Sequence, residues 1–101
     1  MKVVYIAGAF RAPTHYQIHQ NVLRAERAAL KLWKQGYAVI CPHKNTEFYQ
    51  DECTDDVWLS GCLEILKRCD IIYMLRHWEN SKGACEEHEL AINLGIEVRY
   101  E

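Results

Sequence analysis

A three-layer α/β/α domain built on a short parallel sheet of about four strands is the fold class this sequence predicts, and three observations predict it. Short β-rich apolar runs alternate along the chain with longer stretches whose apolar residues recur every three or four positions. The short runs are continuously apolar rather than alternating, as in strands covered on both faces. The chain has 101 residues, half of them hydrophobic, which is one domain's worth of core, so residues 1–101 form a single unit.

The first strand covers residues 2–7, Lys2-Val3-Val4-Tyr5-Ile6-Ala7, and stops at Gly8. Thr14 followed by Gln17 forms a capping box ahead of a helix over 14–35, whose stripe is Ile18, Val22, Ala25, Ala29, Leu32 and Trp33. Gly36 ends it by taking a left-handed cap conformation. Residues 37–41 supply a second strand closed by Pro42, and 43–53 read as a polar loop with aromatic anchors. Thr54 caps a second helix with Asp55 and Asp56 in its first turn and Lys67 and Arg68 in its last, the charge order that the helix dipole favours. Residues 70–75 form the third strand, 76–80 a loop, and Ser81 caps a third helix that ends near Leu94 and Gly95. A fourth strand follows over 96–100. Right-handed crossovers then place the strands in the order 2-1-3-4, a shortened flavodoxin-like, Rossmann-like sheet. Ligands bind such sheets where the order reverses, beyond the carboxyl ends of the strands. Here that point lies between the loops at 8–14 and 76–83.

Composition removes several classes of function. Twelve basic and 14 acidic residues give a net charge of −2 with no basic cluster, so polymeric nucleic acid is not an expected partner. The apolar runs are too short to cross a bilayer and no leader precedes the first strand, which predicts no membrane partner and a cytoplasmic protein. Five cysteines without a Cys-x-x-Cys pair read as reduced, mostly buried side chains rather than a disulfide framework. The histidines lack the spacing of a metal site, and His88 reads as a core histidine. Trp33 and Trp58 fit helix packing stripes. No metal or other cofactor is expected.

The chemistry concentrates on the last helix. Lys82, Glu86, Glu89 and Asn93 define its wet face, whereas Glu87 falls on the packing stripe of Ala84 and Ala91 and points toward the sheet. A carboxylate there is costly unless paired or used, as a cap, a partner of an arginine, or a nucleophile held ionised by the helix dipole. Ser81-Lys82-Gly83-Ala84 offers a hydroxyl and free backbone N–H groups suited to an anion. Across the crevice, Gly8-Ala9-Phe10-Arg11 brings a fixed positive charge at Arg11 and a stacking surface at Phe10. His77 is a candidate acid near neutral pH, with Asp56 and His43 behind it. His43 and Asn45, after the second strand, are candidate hydrogen-bonding groups for a ligand.

These residues resemble those of the nucleoside 2-deoxyribosyltransferase-like proteins, which include 2′-deoxynucleoside 5′-phosphate N-hydrolases and small uncharacterised domains. The resemblance covers essentially the whole chain. It is carried by Val4-Tyr5-Ile6-Ala7-Gly8-Ala9-Phe10, by Asp70, and by Ser81-x-Gly83-x-x-x-Glu87-x-x-x-Ala91. It implies that Glu87 attacks the anomeric carbon of deoxyribose, that Tyr5 positions or tunes that carboxylate, and that Ser81 and Gly83 hold a 5′-phosphate. It also implies a nucleoside or nucleotide as small-molecule partner and self-association into a homodimer or larger homo-oligomer. Transferases of this family carry an acidic residue just after the third strand, where this chain has Arg76-His77-Trp78. The expected function is therefore cleavage or transfer at an N-glycosidic bond. The alternatives are a non-catalytic nucleotide-binding or sensing module and a small oligomeric structural or interaction protein.

Overall fold

The computed structural model describes residues 1–101, in the order β1 (Val3–Ala7), α1 (His15–Lys34), β2 (Ala38–Ile40), α2 (Pro42–Asn45), α3 (Asp55–Leu66), β3 (Ile71–Met74), a 3-10 turn at Trp78–Asn80, α4 (Lys82–Leu94) and β4 (Glu97–Tyr100). All four strands are parallel and lie in the order β2-β1-β3-β4, as the alternation of elements predicts. Tyr5 pairs in register with Ile40 on one side and Ile72 on the other.

Because successive strand residues point to opposite faces, β1 serves two cores at once. Val4 and Ile6 pack with Ala25, Ala28, Ala29 and Leu32 of α1. Tyr5 and Ala7 pack on the other face with Leu66 of α3 and Ala84 and Ala91 of α4. Tyr5, Ile6, Ile71, Ile72 and Met74 are fully buried, which explains why these strands read as unbroken apolar runs. Val3 N–H donates to the Asp70 carboxylate at 2.8 Å, so Asp70 ties the starts of β1 and β3 together.

Caps follow the sequence with exceptions. Thr14 Oγ1 accepts from Gln17 N at 3.1 Å and Ser81 Oγ from Ala84 N at 3.2 Å. Thr54 occupies the N-cap position of α3 but its side chain makes no capping bond, and α3 ends at Leu66, before Lys67 and Arg68. The expected loop after β2 begins with a helical turn, α2, because Pro42 at its first position has its φ preset for a helix. The cysteines are all unpaired, but only Cys69 is buried and Cys53 is exposed. Trp33 is also exposed rather than packed, and His88 is half-buried, stacked on Trp78 with ring centroids 4.3 Å apart.

Gly8 is required by contact. A Cβ on it would stand 2.7 Å from Leu75 Cδ1 and 2.8 Å from Leu75 Cβ, and Leu75 is itself buried. Gly8→Ala is therefore expected to destabilise the domain by about 1–3 kcal/mol, the usual cost of overpacking, measured by urea denaturation.

Candidate active site

A cavity of about 400 Å³ opens at the carboxyl ends of β1 and β3, where the strand order reverses, and its size is within the range of about 300–1,000 Å³ common for small-molecule sites. The β1–α1 loop contributes Gly8, Phe10 and Arg11, while α2 contributes His43. The facing wall comes from the start of α3, with Asp55, Asp56, Trp58 and Cys62, and from α4, with Ser81, Gly83 and Glu87.

Glu87 sits where the α4 stripe predicts, 8% exposed between Ala84 at 1% and Ala91 at 0%. The Tyr5 hydroxyl, from the strand beneath, donates to Glu87 Oε2. Burial is the largest influence on Glu87 and raises its pKa from 4.5 to about 7; the Tyr5 hydrogen bond opposes the rise, and the neighbouring charge of Glu86 adds to it. The carboxyl is thus poised between its two forms at neutral pH, rather than held fully ionised by the helix dipole, which is one of the three roles its position allows. Burial and the adjacent carboxylate push the Tyr5 hydroxyl far above the ordinary tyrosine range, so it stays protonated and keeps donating.

The fixed positive charge at the crevice mouth belongs to Arg11, and its partner there is exposed. Arg11 pairs with Asp55 across the mouth, with both side chains more than half exposed. Such a pair contributes little stability, and its guanidinium is free to exchange Asp55 for an anionic ligand. Lys82 also lines the crevice, at the start of a helix with no acidic residue in its first turn. An anion is what that end of the helix favours.

Three expectations need correction or refinement. His77 does not line the crevice; it occupies an exposed turn with φ of 66°. The reason is that Trp78 takes the inward position, stacking on His88, and leaves its neighbour outside. Asn45 faces a different hollow, shared with Leu30, Trp33, Cys41 and Lys44. His43 does line the crevice, but it is 5% exposed and its Nε2 is 3.0 Å from the Ala9 carbonyl oxygen. A carbonyl only accepts, so Nε2 carries the proton, and burial holds the ring neutral by lowering its pKa.

Asp55 and Cys62 also line the crevice with no periodic signal in the sequence to mark them, and Trp58, which fits a packing stripe, lines it as well, with its ring 6.1 Å from that of Tyr49. A signal for Asn21 was present: it stands on the apolar stripe of α1 beside Val22 and Ala25, just as Glu87 does on α4.

The raised Glu87 pKa has a consequence for stability. Below pH 4.5 the group is protonated in folded and unfolded chains alike and costs nothing; from there to about pH 7 the unfolded chain ionises first, so stability falls as pH rises. Above about pH 7 the full cost, about 3 kcal/mol, is present. Glu87→Gln should accordingly melt higher than the wild type at pH 8, with the difference closing by pH 5.

The fold has known counterparts. A 2-deoxyribosyltransferase from the psychrotolerant bacterium Bacillus psychrosaccharolyticus superposes with a TM-score of 0.69 over 97% of this chain and 70% of that one, at 20% sequence identity. The fold implied by the sequence resemblance is therefore shared. Among curated proteins, none matches the chain by sequence. The domain of unknown function DUF4406 matches residues 2–100, and the chain belongs to that family.

Proposed function

We propose that the protein cleaves or transfers at the N-glycosidic bond of a nucleoside or nucleoside 5′-monophosphate, with Glu87 as nucleophile. The observation that carries this reading is a buried carboxyl, hydrogen-bonded by Tyr5, facing a nucleotide-sized crevice whose rim holds Arg11, Ser81 and Lys82. The structural counterpart is a biocatalyst for nucleoside synthesis, which supports the choice of substrate class.

In this reading the ionised Glu87 carboxylate attacks C1′ and the C1′–N bond breaks, its electron pair leaving with the base. The base takes up a proton and Glu87 becomes a glycosyl ester. Water, or a nitrogen of a second base, then attacks C1′ and restores the carboxylate. Ser81 and the N–H groups around Gly83 hold the 5′-phosphate, with Arg11 turned from Asp55 to meet it. Phe10 and Trp58 offer faces for the base. Since His77 lies outside, the proton for the leaving base comes from solvent water, which reaches the crevice at its exposed Asp56 side. All five cysteines being unpaired suits a reduced, cytoplasmic setting. Self-association, with exposed Leu30 and Trp33 as apolar surface, belongs to the same reading and is tested by light scattering.

The direct test is release of free base from a panel of 2′-deoxynucleoside 5′-monophosphates. Glu87→Ala should abolish it, and His77→Ala should leave it unchanged. Retained turnover in Glu87→Ala would sink the assignment.

Only the ionised nucleophile attacks, so kcat/KM should rise with pH through an apparent pKa near 7. Tyr5→Phe removes a bond that favours the carboxylate and should move this limb to higher pH. The sensing alternative predicts saturable nucleotide binding with no base released from any substrate or with any acceptor.

A further inference from the structure

Only three polar side chains are buried in this protein, Asn21, His43 and Glu87. Glu87 belongs to the chemistry proposed above. The other two come from different helices and converge on adjacent peptide groups of one loop. His43 Nε2 donates to the carbonyl of Ala9 at 3.0 Å, and Asn21 Nδ2 to the carbonyl of Phe10, also at 3.0 Å. Arg24 donates to Asn21 Oδ1. Because arginine only donates, this contact fixes the amide so that its nitrogen faces Phe10. The Phe10 and His43 rings also lie 6.1 Å apart.

The loop has no regular secondary structure, and neither Phe10 nor Arg11 uses its backbone N–H within the chain. Its conformation therefore depends on the two carbonyl contacts. A buried polar side chain is costly unless its hydrogen bond does something an apolar residue cannot. We propose that Asn21 and His43 are positioning residues, a two-point clamp that holds Ala9, Phe10 and Arg11 in the arrangement that receives the ligand. The proposal rests on the nucleotide reading of the crevice, and it separates two jobs. The clamp, from α1 and α2, sets how well the ligand binds, while Tyr5 and Glu87, from β1 and α4, set how fast it reacts. An unclamped loop spends only part of its time in the receptive form, and apparent affinity falls by that fraction.

The test measures nucleoside 5′-monophosphate binding by calorimetry and base release by steady-state kinetics. Asn21→Asp keeps size and the Arg24 contact but sets an oxygen against the Phe10 carbonyl. His43→Phe removes the ring donor, and His43→Gln retains an N–H of similar reach. Asn21→Asp and His43→Phe are expected to raise Kd and KM about 10-fold with kcat within twofold and the pH limb near 7 unmoved; His43→Gln should recover most of the affinity. Arg24→Ala, a surface change that leaves folding intact, should raise Kd two- to threefold by letting the amide turn. Lower melting temperatures with unchanged Kd, or a fall in kcat at unchanged KM, would overturn the clamp. No binding by the wild-type protein would instead overturn the nucleotide reading on which it rests.

Discussion

The contact between Tyr5 and Glu87 is the constraint around which the rest of this small protein is arranged. A carboxyl buried against a sheet is unfavourable in the absence of a donor, and the donor here is a strand residue that is itself wholly buried. The small residues Ala84 and Ala91 let α4 approach β1 closely enough for the two side chains to meet. Gly8, just beyond the strand, keeps the chain pressed on Leu75 and begins the loop that forms the opposite wall. The packing of α4 and the floor of the cavity thus share one contact.

The crevice is polarised by this arrangement. Its floor is a nearly neutral, dry carboxyl–hydroxyl pair, where a change in charge has a large electrostatic effect. Its rim is wet and ionic, carrying Arg11, Asp55, Asp56 and Lys82, where ion pairs exchange at little cost. A ligand with a charged end and a reactive apolar centre matches that gradient. The polar end meets groups that are already solvated, and the apolar centre meets the carboxyl whose ionisation burial opposes most.

Much of this was legible in the sequence because it follows from periodicity. Continuous apolar runs mark the buried strands, alternation with helices marks their order, and the odd position of Glu87 on an alanine stripe marks the buried carboxyl of the crevice. What escaped detection depends on side-chain direction outside regular elements. Period says nothing about a turn, so His77 and Trp78 look equally able to face inward until Trp78 finds His88. Likewise Asn45 and His43 are two residues apart, yet the single turn of α2 sends them to different hollows. The burial of Asn21 was encoded as plainly as that of Glu87, but an amide on an apolar stripe is a weaker alarm than a charge.

The Tyr5–Glu87 bond joins residues 82 positions apart, linking the first strand to the last helix. Contacts of such long range form only after the intervening chain has been organised, and loop closure makes them late. During synthesis the ribosome releases β1, and the cleft loop after it, well before α4 exists. A nascent or truncated chain that stops short of α4 therefore presents the β1 side of the crevice without the wall that α4 supplies. The complete crevice is in this sense a property of the finished domain.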